Sequence, residues 1–278
     1  MVKSQANRSK YNLDKQFLVD SKTPIYRYLS FFQLVDILER KKLYLQKVCY
    51  WGDPSEGSGY IDQERDKVVK LGFDANTVKN DDKFKYEIKK MFPFGTSWSL
   101  LIESDAMWRI YSRDNMGVQI QSSVEKLESA LSRVELPKEY LEIEGYFDIK
   151  YVVGKVDYNP ADNLNDLEHF LTKKEAFKHE EEIRGLVKFS GTDDPQRFAN
   201  IDLQFNIKWS AFFLGGNYPA WMRPPGEEVK IIYTSTEGDF IEAVRIDPRA
   251  DDWIVETIKN YCKTKNIPNV ERSDLYGK

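Results

Sequence analysis

In FKHEEEIRGLVKF, residues 177–189, a polar helix is expected to end and a strand to begin. Successive side chains of a strand alternate, so Glu180, Glu182 and Arg184 are expected on one face. Carboxylates so placed are neighbours, and like charges raise the pKa of one member unless a cation compensates. Perturbed carboxylates collect at functional sites. The stretch predicts either a catalytic acid pair with Arg184 as its cation, or a helix end with solvated acids and one surface ion pair.

A second stretch, FGTSWSLL at residues 94–101, is predicted to be a strand with one small face. Alternation puts Gly95, Ser97 and Ser99 on one side and Trp98 on the other. A face of glycine and small hydroxyls lets a ligand approach the backbone closely, and it equally suits packing against a helix. Ser97 and Ser99 are therefore candidates for a binding site, and Trp98 joins them only if the strand bulges.

Two more segments carry candidate functional residues. On the predicted helix SDAMWRIYS, Trp108 and Tyr111 lie three positions apart and hence on one side, where a core pair is more common than a ligand platform. The Gly- and Ser-rich loop WGDPSEGSGY carries Asp53 and Glu56. Because Asp before Pro is good turn chemistry, a turn is favoured there over a functional acid.

Composition describes a packed globular protein without a basic surface. The 278 residues are 41% hydrophobic and 14% aromatic, with a formal net charge of -4. Nucleic acid could therefore bind only through a local patch or a specific pocket. Cys49 and Cys262 show no C-x-x-C pattern, and His169 and His179 lack ligand-like spacing. With no signal-peptide core and no apolar run near the roughly 20 residues that span a bilayer, we expect a cytoplasmic protein without metal or membrane contact.

The order of predicted elements favours one domain. Residues 1–22 are polar and mildly basic and are expected to be a flexible arm, which leaves residues 23–278 as a single globular domain. After the strand IYRYL, Ser30 and Gln33 form a capping-box signature that opens a helix. The remaining predicted elements are helices over 60–71, 80–91, 163–179 and from Ser122 to about 134, strands at 43–45, 117–121, 147–158, 201–209 and the segments VKIIYTST and FIEAVRI, a loop over 215–228, a C-terminal helix and a last edge strand.

This succession predicts an α+β fold, a single domain with a mixed or antiparallel sheet and flanking helices. The chain contains no G-x-G-x-x-G after a strand, no G-x-x-x-x-G-K-[ST], no H-E-x-x-H and no G-x-S-x-G. Doubly wound dinucleotide oxidoreductases, phosphate-loop ATPases, zinc proteases and α/β hydrolases are therefore disfavoured.

The sequence resembles one known protein family and one known fold. In order, IYRYLSFFQLVDIL, GDPSEG, SWSL, DAMWRIYS, GVQI, HEEEIR and VRIDPRA resemble the bacterial family catalogued as domain of unknown function 2971, over nearly the whole chain. The chain is also similar to the ADP-ribosyltransferase fold of the arginine-serine-glutamate type. That pattern places an arginine on the first strand, small hydroxyls on a middle strand and Glu-x-Glu on a later one. The matching residues are Arg27, Ser97, Ser99, Glu180 and Glu182.

The second resemblance implies that NAD is a co-substrate, without a metal. It implies transfer of ADP-ribose to a protein or nucleic acid acceptor, or hydrolysis of NAD, in a bacterial defence or toxin context. Glu182 would stabilise the cation formed as nicotinamide departs, Glu180 would orient or deprotonate the acceptor, and Arg27 would grip the pyrophosphate. Other residues expected to contact or support NAD are Tyr28, Ser97, Trp98, Ser99, Trp108, Tyr111 and Arg184.

Two alternatives stay open. A metal-dependent nuclease could use Asp53, Glu56, Glu180 and Glu182 as oxygen ligands for magnesium, although Glu-Ile-Arg departs from the Glu-x-Lys such folds usually carry. A non-catalytic module could instead bind a protein or small ligand through the aromatic surface near Trp108 and Trp221. NAD chemistry requires that Arg27 and Glu182 face one cleft.

Overall fold

A computed structural model describes residues 6–70, 92–135, 147–160, 164–191, 229–236 and 238–277, together with residues 72, 74, 85, 88 and 89. The strands are β1 (Ala6–Lys10), β2 (Pro24–Ser30), β3 (Lys42–Lys47), β4 (Phe94–Ser99), β5 (Gly117–Ser123), β6 (Phe147–Lys155), β7 (Glu182–Gly191), β8 (Ile231–Ser235), β9 (Ala243–Ile246) and β10 (Val270–Arg272). The α-helices are α1 (Phe31–Arg40), α2 (Ser58–Lys70), α3 (Asp105–Tyr111), α4 (Val124–Leu131) and α5 (Asp252–Thr264). Of the predicted elements, the strand over 201–209 and the loop over 215–228 with Trp221 lie outside the described residues, as does most of the helix over 80–91.

All of these strands join one mixed sheet. Its main path runs β1-β6-β7-β4-β2-β5-β9-β10, and β3 pairs with both β4 and β8. The pairs β1–β6 and β9–β10 are parallel, whereas the other pairs are antiparallel. The predicted α+β fold with a mixed sheet and flanking helices is confirmed. None of the helices in the described part of the chain combines the length and the apolar composition that crossing a bilayer requires.

The sheet forks at β4. On one edge β4 pairs with β7 along its whole length, from Phe94 to Ser99. On the other edge Ser99 pairs with Tyr26 of β2, whereas Gly95 pairs with Gln46 of β3. Residues 96–98 therefore face an edge where β2 and β3 diverge, and neither of those strands pairs with them. A fork of this kind leaves a gap that side chains from both faces of β4 can reach.

Helix α1 connects the two arms of the fork, and its start is encoded locally. The Ser30 hydroxyl accepts a hydrogen bond from the Gln33 backbone N–H, and the Gln33 side chain accepts one from the Ser30 N–H. This is the predicted capping box. The helix predicted to be capped by Ser122 has its N-cap one residue later. Ser122 stays in β5, and Ser123 caps α4 by accepting from the Lys126 N–H.

In the segment expected to be a flexible arm, the described residues 6–22 contribute to the sheet and the core. Residues Ala6–Lys10 pair in parallel with Phe147–Tyr151 of β6, and Phe17 is fully buried. The absence of a side chain at Gly154 of β6 lets this segment pack closely, because a Cβ there would lie 2.8 Å from the Leu13 side chain. Leu13 and Phe17 are therefore buried apolar residues within a segment whose overall composition is polar.

The helix predicted over 163–179 is instead two short 3-10 helices, Asp166–Leu171 and Glu175–Glu180. Thr172 interrupts it with an extended backbone and forms a bridge with Asp157. Glu181 adopts a left-handed conformation with φ of 40°, so β7 begins at Glu182. Glu180 therefore lies at a helix end and does not share a strand face with Glu182 and Arg184.

Candidate active site

A cavity of about 430 Å³ lies at the fork, a size that suits a small organic ligand. Its walls come from β2, β3 and β4, the loop before α2, helix α3 and the chain before β7. It brings together most of the residues singled out from the sequence, namely Arg27, Tyr28, Ser97, Trp98, Ser99, Tyr111, Glu180 and Glu182. Arg27 and Glu182 thus share one cavity. Trp98 reaches the same cavity as Ser97 and Ser99 through the open edge of β4, without the bulge that alternation seemed to require.

Arg27 supplies the positive wall. Its Nη1 donates to Thr96 Oγ1 at 2.7 Å, and its guanidinium carbon lies 5.0 Å from the centre of the Tyr44 ring and 6.0 Å from that of Trp98. Burial lowers the pKa of Arg27. No ion pair joins Arg27 to a carboxylate within the described residues. A guanidinium held by a hydroxyl and aromatic rings keeps donors free for an anionic ligand.

Glu182 on the opposite wall belongs to a buried glutamate–arginine–glutamate cluster. Arg184 Nε donates to Glu182 Oε1 at 2.8 Å and Nη2 donates to Oε2 at 2.9 Å. The same guanidinium binds Glu56, with Nη1 to Oε2 at 2.8 Å and Nη2 to Oε1 at 2.7 Å. Nη1 also donates to the Phe170 carbonyl at 2.8 Å. Arg184 has no exposed surface, so it supports Glu182 from behind the wall.

Lys173 joins the two glutamates of the sequence motif. Its Nζ lies 2.8 Å from Glu180 Oε2 and 3.1 Å from Glu182 Oε2. The ammonium also lies 4.6 Å from the centre of the Phe177 ring. The acid pair is therefore compensated by a lysine as well as by Arg184. Arg184 was expected from the sequence as the compensating cation, whereas Lys173 was not.

The electrostatics push the two carboxylates that share Arg184 in opposite directions. Burial would raise the pKa of Glu182, but Arg184, Lys173 and a hydrogen bond from Ser97 lower it to about 2. Burial raises the pKa of Glu56 despite the same arginine. Burial would lower the pKa of Lys173, but Glu182 and Glu180 raise it. Glu182 is thus a buried carboxylate that stays ionised across the physiological range.

The small face of β4 is occupied mostly by the protein itself. A Cβ on Gly95 would meet the Trp51 ring and Leu186 at 2.8 Å each, and the Trp51 ring covers the Arg184 guanidinium at 4.8 Å. The Ser99 hydroxyl donates to the Glu180 carbonyl at 2.7 Å and accepts from the Leu101 N–H at 3.0 Å, so it shapes the entry into β7. Ser97 is partly exposed and binds Glu182.

The aromatic residues of α3 divide between core and cavity. Trp108 is fully buried, packs edge-on against Tyr28 at 4.8 Å and donates from Nε1 to Glu103 at 2.8 Å. It does not reach the cavity wall. Tyr111 is 47% exposed and stacks on Tyr28 with ring centres 6.1 Å apart. Burial raises the pKa of Tyr111, Glu180 and Glu182 raise it further, and Lys173 and Arg27 lower it. Its hydroxyl therefore lies within the fields of both walls.

The four acids of the nuclease alternative all line the cavity, but cations already engage three of them. Asp53 accepts from the N–H and hydroxyl of Ser55 at 2.8 and 2.7 Å, which is the predicted turn. Glu56 and Glu182 bind Arg184, and Glu180 binds Lys173. Among the described residues, no three His, Cys, Asp or Glu side chains are arranged to hold a metal ion. Cys49 and Cys262 are free thiols.

Sequence reasoning missed several residues that build the site. Lys173 lies in a polar stretch where no spacing marks it. Thr96 and Tyr44 were assigned to strands, but only the fork brings them to Arg27. For Trp51, the sequence offered one signal of a role in the site, namely an aromatic residue at the start of a Gly- and Ser-rich loop. Glu56 and Arg184 were each recognised as candidate residues, whereas their pairing across 128 residues was not.

Comparison with known proteins gives only distant similarity. Three solved structures of DarT from Thermus sp. 2.9 resemble the chain. The complex with carba-NAD+ has 12% identity and a TM-score of 0.32, covering 92% of this chain and 97% of DarT. The complex with NAD+ has 11% identity and a TM-score of 0.31, covering 92% and 98%. The complex with ADP-ribosylated ssDNA has 13% identity and a TM-score of 0.31, covering 91% and 95%.

No family model and no curated protein matches the chain. At these identities and TM-scores, the likeness to DarT assigns neither a family nor an activity to this protein.

Proposed function

We propose that the protein cleaves the nicotinamide–ribose bond of NAD and passes ADP-ribose to an acceptor or to water. The observation that carries the proposal is that Arg27 and Glu182 line one cavity of suitable volume, about 430 Å³. A dinucleotide offers a pyrophosphate to a cationic wall and a nicotinamide ribose to an anionic one. The wall formed by Arg27 and the wall formed by Glu182 carry those two charges.

Arg27 is suited to the pyrophosphate. Its planar fork can make two parallel hydrogen bonds to phosphate oxygens, and such charge-assisted hydrogen bonds are stronger than neutral ones. Thr96 and the rings of Tyr44 and Trp98 fix the fork without neutralising it. Tyr111 offers a partly exposed ring on which a nicotinamide or adenine can stack.

Glu182 is suited to the developing cation. When the bond from ribose C1′ to nicotinamide breaks, the electron pair leaves with nicotinamide and positive charge develops on the ribose. A fixed, ionised carboxylate stabilises that charge without reorganising. Its low pKa, about 2, keeps it ionised at neutral pH. Glu180 is placed to accept the proton that an acceptor hydroxyl, amine or water loses as it attacks C1′.

The test is release of nicotinamide from NAD, with and without DNA, RNA or cell lysate as acceptor. We expect product from the wild-type protein and a loss of about 100-fold or more in Glu182→Gln, because the charge that stabilises the transition state is removed. Arg27→Ala should lose activity through weaker NAD binding. Glu181→Gln is the matched control, since Glu181 is exposed and one residue away.

Three results would replace the proposal. Equal nicotinamide release by Glu182→Gln and the wild-type protein would remove Glu182 from the chemistry. Magnesium-dependent cleavage of DNA or RNA, without use of NAD, would favour the nuclease. Neither reaction, from a protein that folds normally, would favour a binding module.

A further inference from the structure

Lys173 occupies an unusual position beside the acid pair. It precedes the second 3-10 helix, and its ammonium bridges a carboxylate at the end of that helix and a carboxylate at the start of β7. Its side chain is only 10% exposed, and those of Glu180 and Glu182 are 13% and 4% exposed. Three ionised groups are thus held together out of bulk water, where such hydrogen bonds are stronger.

The backbone around Glu180 and Glu182 shows why the Lys173 bridge is needed to orient these side chains. Glu181 separates the two acids in a left-handed conformation with φ of 40°, which is uncommon for a non-glycine residue. The Ser99 hydroxyl ties the Glu180 carbonyl at 2.7 Å. That bond fixes the backbone but leaves the Glu180 side chain to be oriented by its own partner. Among the described residues, Lys173 is the cation that pairs with Glu180.

We propose that Lys173 is a positioning residue that holds the side chains of Glu180 and Glu182 on one wall of the cavity. The inference rests on the proposed NAD chemistry for its kinetic consequence, but not for its geometry. Without the bridge, two like charges would repel across the Glu181 turn and Glu180 would rotate toward solvent. The acceptor would then lose its base while Arg27 continued to bind the pyrophosphate.

A pH consequence follows, because Lys173 is one of the cations that keep Glu182 ionised. Titratable and charged groups face Glu182 from several elements. Arg184 lies on β7, Tyr111 on α3 and Glu56 in the loop before α2. Tyr158, Lys173 and Glu180 lie in the chain between β6 and β7. Removal of the ammonium leaves Arg184 as the cation in contact with Glu182. The acid limb of kcat/KM for NAD should therefore move to higher pH, by about one unit.

The experiment compares Lys173→Met, Lys173→Arg and Lys178→Met. Lys178 is an exposed lysine on the 3-10 helix that follows Lys173, and it is the matched control. For Lys173→Met we expect kcat to fall about 10- to 100-fold with a smaller change in KM, because a misplaced group lowers the rate more than binding. Lys173→Arg should restore most of the rate and the acid limb. Lys178→Met should match the wild-type protein.

Crystal structures of the same variants test the inference without turnover. In Lys173→Met the Glu180 side chain should leave the cavity wall, and in Lys173→Arg it should remain. Retention of both acids in Lys173→Met, or an unchanged kcat and acid limb, would overturn the inference. If the wild-type protein does not cleave NAD, the proposed function fails and the structures still decide whether Lys173 positions the acids. Lys173→Gln replaces Lys173→Met if the latter does not fold.

Discussion

Arg184 binds Glu182 through two parallel hydrogen bonds, from Nε at 2.8 Å and from Nη2 at 2.9 Å, although the two residues lie only two positions apart on the same strand. The guanidinium then turns its remaining fork to Glu56, which belongs to a loop far away in sequence. One arginine therefore fixes both the start of β7 and the loop before α2. The wall of the cavity depends on this arrangement.

Loss of the Arg184 charge should destabilise the fold strongly. Arg184→Met keeps much of the side-chain volume but leaves Glu182 and Glu56 buried without their cation. We expect the free energy of unfolding to fall by about 3–5 kcal/mol, measured by urea denaturation at pH 7. Arg40→Met is the control, since Arg40 makes a surface pair with Asp36, and it should change stability by about 0.5 kcal/mol or less. A loss below about 1 kcal/mol in Arg184→Met would contradict this account of the cluster.

The free energy of unfolding should depend on pH through the titration of Glu182. Its folded pKa of about 2 lies below the ordinary value of 4.5, so the unfolded chain binds more protons between those values. Stability that is present above pH 4.5 is therefore lost as pH falls toward 2. Between pH 5 and pH 3, the wild-type protein should lose about 2 kcal/mol more than Glu182→Gln. Parallel loss in the two proteins would show that Glu182 has an ordinary pKa.

Gly95 should resist even the smallest side chain. Its Cβ would meet Trp51 and Leu186 at 2.8 Å, so Gly95→Ala must push Trp51 away from the Arg184 guanidinium. We expect a loss of about 1–3 kcal/mol in the free energy of unfolding. Gly52→Ala is the matched control, because no atom lies within 4 Å of a Cβ there. Equal stabilities of the two variants would contradict the packing of Trp51 on β4.

Arg27 should matter more for binding than for stability. Its burial is not offset by an ion pair among the described residues, so Arg27→Met should leave the free energy of unfolding within about 1 kcal/mol of the wild-type value. The same change should weaken NAD binding about tenfold or more, since charged hydrogen bonds to the pyrophosphate are lost. Isothermal titration calorimetry and urea denaturation give the two numbers. An Arg27→Met protein that binds NAD normally would exclude Arg27 as the pyrophosphate ligand.

Local signals in the sequence predicted local structure well. The capping box of Ser30 and Gln33 opens α1 as expected, because its two hydrogen bonds lie within one turn. The strand IYRYL and the last edge strand at Val270–Arg272 are also present. The helix over 163–179 was not foreseen correctly, since the bridge between Thr172 and Asp157 is a tertiary contact that overrides helix propensity.

The site was predicted only in outline. Alternation along β4 and the acids around Glu182 indicated which side chains are near one another on a strand. The fork that brings Arg27 to the same cavity depends on β3 pairing with β4, and no motif in either strand encodes that pairing. Lys173 and Glu56 complete the charge balance through contacts that only the folded chain creates. The sequence therefore indicated the side chains proposed to react more readily than the side chains that hold them.

A crystal structure of Glu182→Gln with NAD would show whether Arg27 and residue 182 bind the dinucleotide together, since this variant should bind NAD without cleaving it. We expect the pyrophosphate within hydrogen-bonding distance of the Arg27 guanidinium and the nicotinamide ribose beside residue 182, inside the cavity at the fork. NAD bound elsewhere on the protein, or a cavity that stays empty at millimolar NAD, would contradict this expectation.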